Sequence, residues 1–259
     1  MPELPEIESA AAQLRDAILS RPIVRVDTHH RALARTLPPR DAASLAGRSV
    51  SRVERRGKHQ VLHLDDGRVL VAHFRLNGEW SVGRADEPLP RFGRVSIALA
   101  DGSRVVLVDG RALCTLELAD RAEDILPKLG PEPTGAAFTE AALGAALAKR
   151  RGPIKAALLD QSVVAGLGNI YAAEALWLAK ISPSARASTL GPRRRGQLVR
   201  AIKDVLRRAP PGRYWLDEGE RKWRVYDREG APCKRCRTPI KRKVQAARST
   251  FYCPTCQAR

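Results

Sequence analysis

The chain has 259 residues and 44% hydrophobic content, enough to bury the core of one large domain or two ordinary ones, which excludes disorder as the main state. Its 46 Lys plus Arg against 28 Asp plus Glu give a formal charge of +18, more than an acidic small molecule requires and the usual mark of a polyanionic partner. No apolar run reaches the roughly 18 residues of a membrane span, and the N-terminus lacks the basic flank and apolar block of a secretory signal, so a soluble, intracellular protein without a membrane partner is expected.

In chain order, PELPEIESAAAQLRDAILS (2–20) places Ile7, Ala11, Leu14, Ala17 and Ile18 at helical spacing behind prolines that the first helical turn tolerates. From about 22 to 108 the period falls to two. VSRVERR, HQVLHL, RVLVAHF, RVSIALA and RVVLVDG are punctuated by Asp66-Gly67 and Asp101-Gly102, the pairing of alternating runs and Asp-Gly turns that predicts antiparallel hairpins. An α+β chain is expected, with an N-terminal helix and an antiparallel β-sandwich or flattened barrel over 1–128. LGPEPTG, with two Pro and two Gly, opens a predicted linker over 129–137. Helical spacing returns in FTEAALGAALAKR, in PIKAALLDQSVVAGLGNIYAAEALWLAK and in PRRRGQLVRAIKDVLRRA, predicting a helical domain over 138–229. The cysteine-bearing segment 230–259 closes the chain.

Cys233-x2-Cys236 and Cys253-x2-Cys256 stand 16 residues apart, the spacing of a four-thiolate zinc ribbon whose hairpin brings the two pairs onto one ion. Four thiolates close the tetrahedron, so one structural Zn2+ is predicted and the chemistry must lie elsewhere. Disulfides would need a secreted context. Cys114, alone in a strand-like run, reads as a buried core thiol.

MPELPEIE, LGPEPT, QSVVAGLGNIYAAE and FYCPTCQ, in that order over essentially the whole chain, resemble the formamidopyrimidine-DNA glycosylase and endonuclease VIII family of base-excision repair enzymes. The resemblance implies removal of Met1, a Schiff base on the Pro2 secondary amine, base release, and strand cleavage by β,δ-elimination. It implies Glu3 as general acid or proton shuttle, with Glu6 a supporting carboxylate grouped among the DNA-contacting residues. Lys58 and Arg248 are implied against the phosphates beside the lesion, Lys58 also assisting elimination. Taken alone, Met-Pro is an ordinary processed start, and the two Glu are ordinary dipole complements at a helix start. The resemblance further implies a helix-two-turn-helix around GLGN, with Asn169, Lys155 and Arg151 on the DNA backbone.

An extruded base leaves a gap that the family fills with Met, Arg and Phe. Here HFRLNGEW and DGRALCTL put Leu76, Arg111 and Leu113 in those places, so no aromatic face is offered and a weaker wedge or an altered opposite-base preference is expected. A histidine that the purine-lesion branch uses near Phe92 is absent. PELPE is nearer the purine-lesion branch, whereas LNGEW and EALW are nearer the pyrimidine-lesion branch, so lesion choice stays open. Damaged double-stranded DNA is the implied partner, a monomer in the bacterial cytoplasm at the nucleoid the implied setting. A non-catalytic or altered-scope DNA-damage binder on the same scaffold is the alternative, and a generic zinc-ribbon nucleic-acid factor leaves PELPE unexplained.

Overall fold

The computed structural model describes residues 1–210 and 223–258; the part of the expected helical domain at 211–222 lies outside the described residues. The chain divides into two compact units, with the division falling after Pro127.

The first unit begins with α1 (Leu4–Ile18), followed by β1 (Ile23–Thr28), two short helices, α2 (Arg31–Ala34) and α3 (Pro39–Ala43), and then β2 (Val50–Arg56), β3 (His59–Leu64), β4 (Val69–His73), β5 (Glu79–Arg84), β6 (Gly93–Leu99), β7 (Ser103–Val108) and β8 (Thr115–Ala119). The strands form two antiparallel four-stranded sheets, ordered β1-β6-β7-β5 and β2-β3-β4-β8. Val95, Ile97 and Leu99 of β6 alternate inward and join Leu62, Leu70 and Leu116 of the other sheet in one core. The apolar stripe of α1 (Ile7, Ala11, Leu14, Ile18) completes that core. The second sheet is covered on both faces: Val61, Val69 and Val71 pack against Ile125 and Leu126. This double burial is why β4 reads as a nearly unbroken apolar run rather than a strict alternation.

The second unit contains α4 (Glu140–Leu147), α5 (Ile154–Leu159), α6 (Asn169–Leu178), α7 (Pro192–Arg207), β9 (Lys241–Gln245) and β10 (Arg248–Tyr252). Helix α6 packs on both α7 and β10. The segment expected as a linker belongs to this unit: Gly130 N–H donates to the Gln161 carbonyl (2.8 Å), and Ala165 N–H donates to the Pro131 carbonyl (3.1 Å). A Cβ on Gly130 would stand 2.7 Å from the Ser162 carbonyl oxygen, so only glycine permits that approach. No helix among the described residues is long and apolar enough to cross a membrane.

Candidate active site and nucleic-acid interface

Helix α1 starts at a buried chain end. Pro2 is buried, Glu3 is 2% exposed and Glu6 7%. Glu3 is the N-cap of a capping box in which the Glu6 carboxylate accepts the Glu3 N–H at 2.9 Å. Glu6, the supporting carboxylate expected beside Glu3, thus caps the helix and fixes the chain end. One turn further, Glu8 binds both Arg15 (3.0 Å) and Arg55 (2.8 Å), while Arg55 also donates to the Gly57 carbonyl (3.1 Å). Partial burial pushes the Glu8 pKa up, but the Arg15 and Arg55 hydrogen bonds outweigh it and leave the group lowered and ionised.

That relay runs from α1 to the two-residue turn carrying Lys58, because Arg56 pairs with His59 and Gly57 sits between them at φ +59°. A left-handed first turn residue is the glycine requirement of a tight hairpin. Lys58 is 7% exposed. Beside it, His59 and His73 pair across β3 and β4 with ring centroids 4.5 Å apart. Burial, then the positive charges of Arg75 and Arg56, lower His59 to about 4; burial, His59, Arg75 and Lys58 lower His73 to about 3. Both imidazoles stay neutral in a cationic surrounding suited to a phosphate.

The residues expected to fill the gap left by an extruded base lie on two exposed loops. Leu76 (38% exposed) is between β4 and β5, and Arg111 and Leu113 (46% exposed) are between β7 and β8. The loops are joined where the Cys114 thiol donates to the Phe74 carbonyl at 3.2 Å, so the core-thiol reading of Cys114 holds, and burial pushes its pKa well above the ordinary thiol range. Sequence reasoning missed the organiser of this region. Asp109, 1% exposed, accepts the N–H groups of Arg111 (2.9 Å), Leu113 (2.6 Å) and Cys114 (2.8 Å). Its only signal was an acid opening a Gly-containing turn.

In the second unit, Gln161 fastens the GLGN turn: its amide donates to the Leu167 carbonyl (2.9 Å) and its carbonyl accepts from Gly166 N–H (2.8 Å). Asn169 opens α6 and donates through Nδ2 to the Ser249 carbonyl at 3.1 Å. Lys155 is fully buried, with Nζ donating to Asn169 Oδ1 (2.6 Å), the Ser249 carbonyl (2.9 Å) and Thr250 Oγ1 (2.7 Å). A lysine has three ammonium donors, and all three meet protein acceptors. The side chain is a clamp that fixes Asn169, a residue expected at the DNA backbone, against the hairpin bearing Arg248. Arg248 and Arg151 are exposed. A second missed residue is Glu174, 1% exposed, whose carboxylate accepts the N–H groups of Arg224, Val225 and Tyr226 at 2.8–3.0 Å. A lone acid in the otherwise apolar helix NIYAAEALWL was the signal.

The four Sγ atoms of Cys233, Cys236, Cys253 and Cys256 lie within 4.8 Å of one another. The separations of 4.0 Å (Cys233–Cys256) and 3.4 Å (Cys236–Cys253) bracket the edge of about 3.8 Å that a tetrahedron of 2.3 Å bonds requires. Arg235 N–H and Trp177 Nε1 each point at Cys233 Sγ from 3.4 Å, donors that steady a metal-bound thiolate. The residues fit one structural zinc ion, and Trp177, Phe251 and Ile240 supply the apolar support beneath it.

A capped helix buried at the head of a β-sandwich, together with a helix-two-turn-helix clamped to a four-cysteine hairpin, is the architecture of a zinc-ribbon DNA repair protein. Sequence profiles agree in chain order: the formamidopyrimidine-DNA glycosylase N-terminal domain matches residues 1–116, its H2TH domain 129–211, and the zinc finger found in FPG and IleRS 230–259. The formamidopyrimidine-DNA glycosylase of Herpetosiphon aurantiacus is 39% identical over 280 residues, covering all of both chains, and that of Chloroflexus aggregans is 41% identical, covering 99% of this chain and 98% of its own. Among solved structures, the Lactococcus lactis formamidopyrimidine-DNA glycosylase non-covalently bound to DNA containing an abasic site superimposes with a TM-score of 0.92 at 30% identity, covering 99% of this chain and all of that one. MutM in complex with DNA containing carbocyclic 8-oxo-G gives 0.91 at 30% identity, covering all of both chains. The chain belongs to the formamidopyrimidine-DNA glycosylase family.

Proposed function

We propose that this protein is a bifunctional base-excision repair enzyme that removes a damaged base from duplex DNA and then cuts the strand at the resulting abasic site. The observation that carries the reading is the buried chain end, where Pro2 and Glu3 are held by a capping box whose second carboxylate is already committed. In the full-length chain the Pro2 nitrogen is an amide; loss of Met1 frees a secondary amine. That nitrogen attacks C1′ as the base departs and gives up its proton; Glu3 then protonates O4′, the C1′–O4′ bond opens, and the nitrogen lone pair forms the C1′=N bond. The resulting iminium has no N–H to lose and keeps its charge. It therefore acidifies the C2′ hydrogen, whose removal expels the 3′ phosphate by β-elimination, and δ-elimination then expels the 5′ phosphate. Lys58, in its cationic surrounding, balances the phosphate charge during these steps.

Arg248, Asn169 and Arg151 hold the DNA backbone, Lys155 keeping Asn169 in place, and Leu76, Arg111 and Leu113 fill the space left by the extruded nucleotide. One active site on one duplex needs a single copy, so the working form is a monomer at the bacterial nucleoid, in the cytoplasm. A second reading, altered lesion scope, is favoured by the exposed leucines at two wedge positions.

Borohydride trapping on DNA bearing an abasic site tests the first reading. The expected result is a covalent adduct that disappears on Pro2→Gly substitution and when Met1 is retained; a protein that cleaves without forming the adduct refutes the amine mechanism. Duplexes carrying 8-oxoguanine, formamidopyrimidine, thymine glycol or dihydrouracil separate the two readings by which lesion is released fastest.

A further inference from the structure

We propose that Phe92 is a base-stacking residue, its exposed ring beside the Arg111–Leu113 loop supplying the aromatic face that the two wedge leucines lack. The inference deepens the glycosylase reading and rests on it. Of the four phenylalanines, Phe74, Phe138 and Phe251 are buried, whereas Phe92 is 44% exposed. Its backbone is left-handed, at φ +66°, a conformation that bulky side chains rarely adopt, here held by the turn in which Gly93 N–H donates to the Pro90 carbonyl at 2.8 Å.

The surrounding contacts fix where the ring stands. The Phe92 carbonyl accepts the Asp109 N–H at 3.0 Å, tying it to the residue that organises the wedge loop. Arg94 donates through Nε to the Asp109 carbonyl at 2.6 Å, and its guanidinium lies 5.6 Å from the Phe92 ring centroid. The Arg91 guanidinium lies 4.6 Å from the same centroid. A Cβ on Gly110, the residue preceding Arg111, would be 3.8 Å from the ring. The aromatic plane, two cations and the wedge loop therefore stand together, with the guanidinium groups over the ring. An incoming unstacked nucleotide draws those cations onto its phosphates and takes their place on the apolar face: stacking takes the base, and the cations take the backbone. This placement follows from the first unit alone.

The test uses the full-length zinc-loaded protein and a duplex carrying a tetrahydrofuran abasic analogue with 2-aminopurine opposite it. Phe92→Gly removes the ring while suiting the left-handed backbone, so its Tm is expected to equal or exceed that of the unsubstituted protein. Its Kd for this duplex is expected to rise roughly five- to hundredfold, the range of a lost base–aromatic stack, and the quenching of 2-aminopurine on binding is expected to weaken. Phe92→Trp should restore both. Unchanged Kd and quenching in Phe92→Gly would overturn the proposal, as would weaker binding that only tracks a lowered Tm. Borohydride trapping by the unsubstituted chain decides the glycosylase reading separately, because the Kd comparison needs no turnover.

Discussion

Asp109→Ala tests whether the wedge loop is preset before DNA arrives. The carboxylate accepts three backbone N–H groups at 2.6–2.9 Å. In the variant the Cys114 N–H is left buried without an acceptor, which costs about 1–3 kcal/mol, and the half-exposed Arg111 and Leu113 donors lose charge-assisted bonds that water only partly replaces. Together these amount to about 3 kcal/mol, read as a shift in the denaturant midpoint of the first unit. Burial pushes the Asp109 pKa up, but the Cys114, Arg111 and Leu113 N–H bonds outweigh it and hold the carboxyl below its ordinary value. A depressed folded pKa stabilises the protein above the unfolded carboxylate value of about 3.9, and that stabilisation is lost as pH falls through the folded value. The gap between the two proteins should therefore be full at pH 7 and shrink below about pH 4. Release of a damaged base from duplex DNA should fall more than cleavage of single-stranded abasic DNA, which needs no extrusion. A midpoint shift under 1 kcal/mol, or one that persists undiminished at pH 3, would refute the argument.

Lys155→Met orphans Asn169 Oδ1 and Thr250 Oγ1, the Ser249 carbonyl keeping the Asn169 amide, and should destabilise the second unit by about 3 kcal/mol, with a parallel loss of duplex affinity; Lys155→Arg should not rescue, because a planar fork cannot converge on three acceptors from one point, and retained affinity in either variant would remove Lys155 from its clamping role. Ala246 and Ala247 both turn left-handed, at φ +48° and +56°, between Gln245 and Arg248, at a strain of about 1–2 kcal/mol each, so Asn-Gly in their place should slow zinc extraction by a chelator, and an unchanged rate would show the tip to be unstrained. Cys253→Ala should release zinc, unfold the hairpin and abolish tight DNA binding while the β-sandwich keeps its thermal transition; bound zinc or undiminished affinity in that variant would count against the assignment.

How far the sequence carried depended on how local the determinant was. The start of α1 was legible because prolines and acids crowd its first turn, although the reciprocal capping of Glu3 and Glu6 emerged only from the structure, and the metal site was legible because four thiolates at fixed spacing have one common geometry. The hairpins followed from Asp-Gly turns between alternating runs. Helices α2 and α3 were not legible: four and five residues are too few to show a period. The docked stretch around Gly130 was read as a linker because its Pro and Gly content is the same whether the backbone is free or pressed against Ser162 and Val163. The support that Lys155 gives Asn169 was not legible, because a buried lysine and a phosphate-binding lysine look identical until the acceptors, from Asn169 to Thr250, are placed.

Two of the buried charges share one arrangement. Asp109 and Glu174 hold runs of backbone N–H groups, Glu174 being further approached by the Arg224 guanidinium at 3.9 Å. Each is a buried ion neutralised chiefly by main-chain dipoles, so each fixes the course of a loop without specifying the side chains the loop displays. Lys155 differs: it holds one backbone carbonyl and two side-chain oxygens, and so does specify Asn169 and Thr250. The consequence is sharpest at the wedge. Because the carboxylate of Asp109 sets the path of residues 111–114 through their N–H groups, Leu113 can stand where the family has an aromatic without altering how Arg111 is presented. On the proposed reading, lesion and partner-base preference then shift through Leu76, Leu113 and Phe92 without any change at the buried chain end of Pro2 and Glu3.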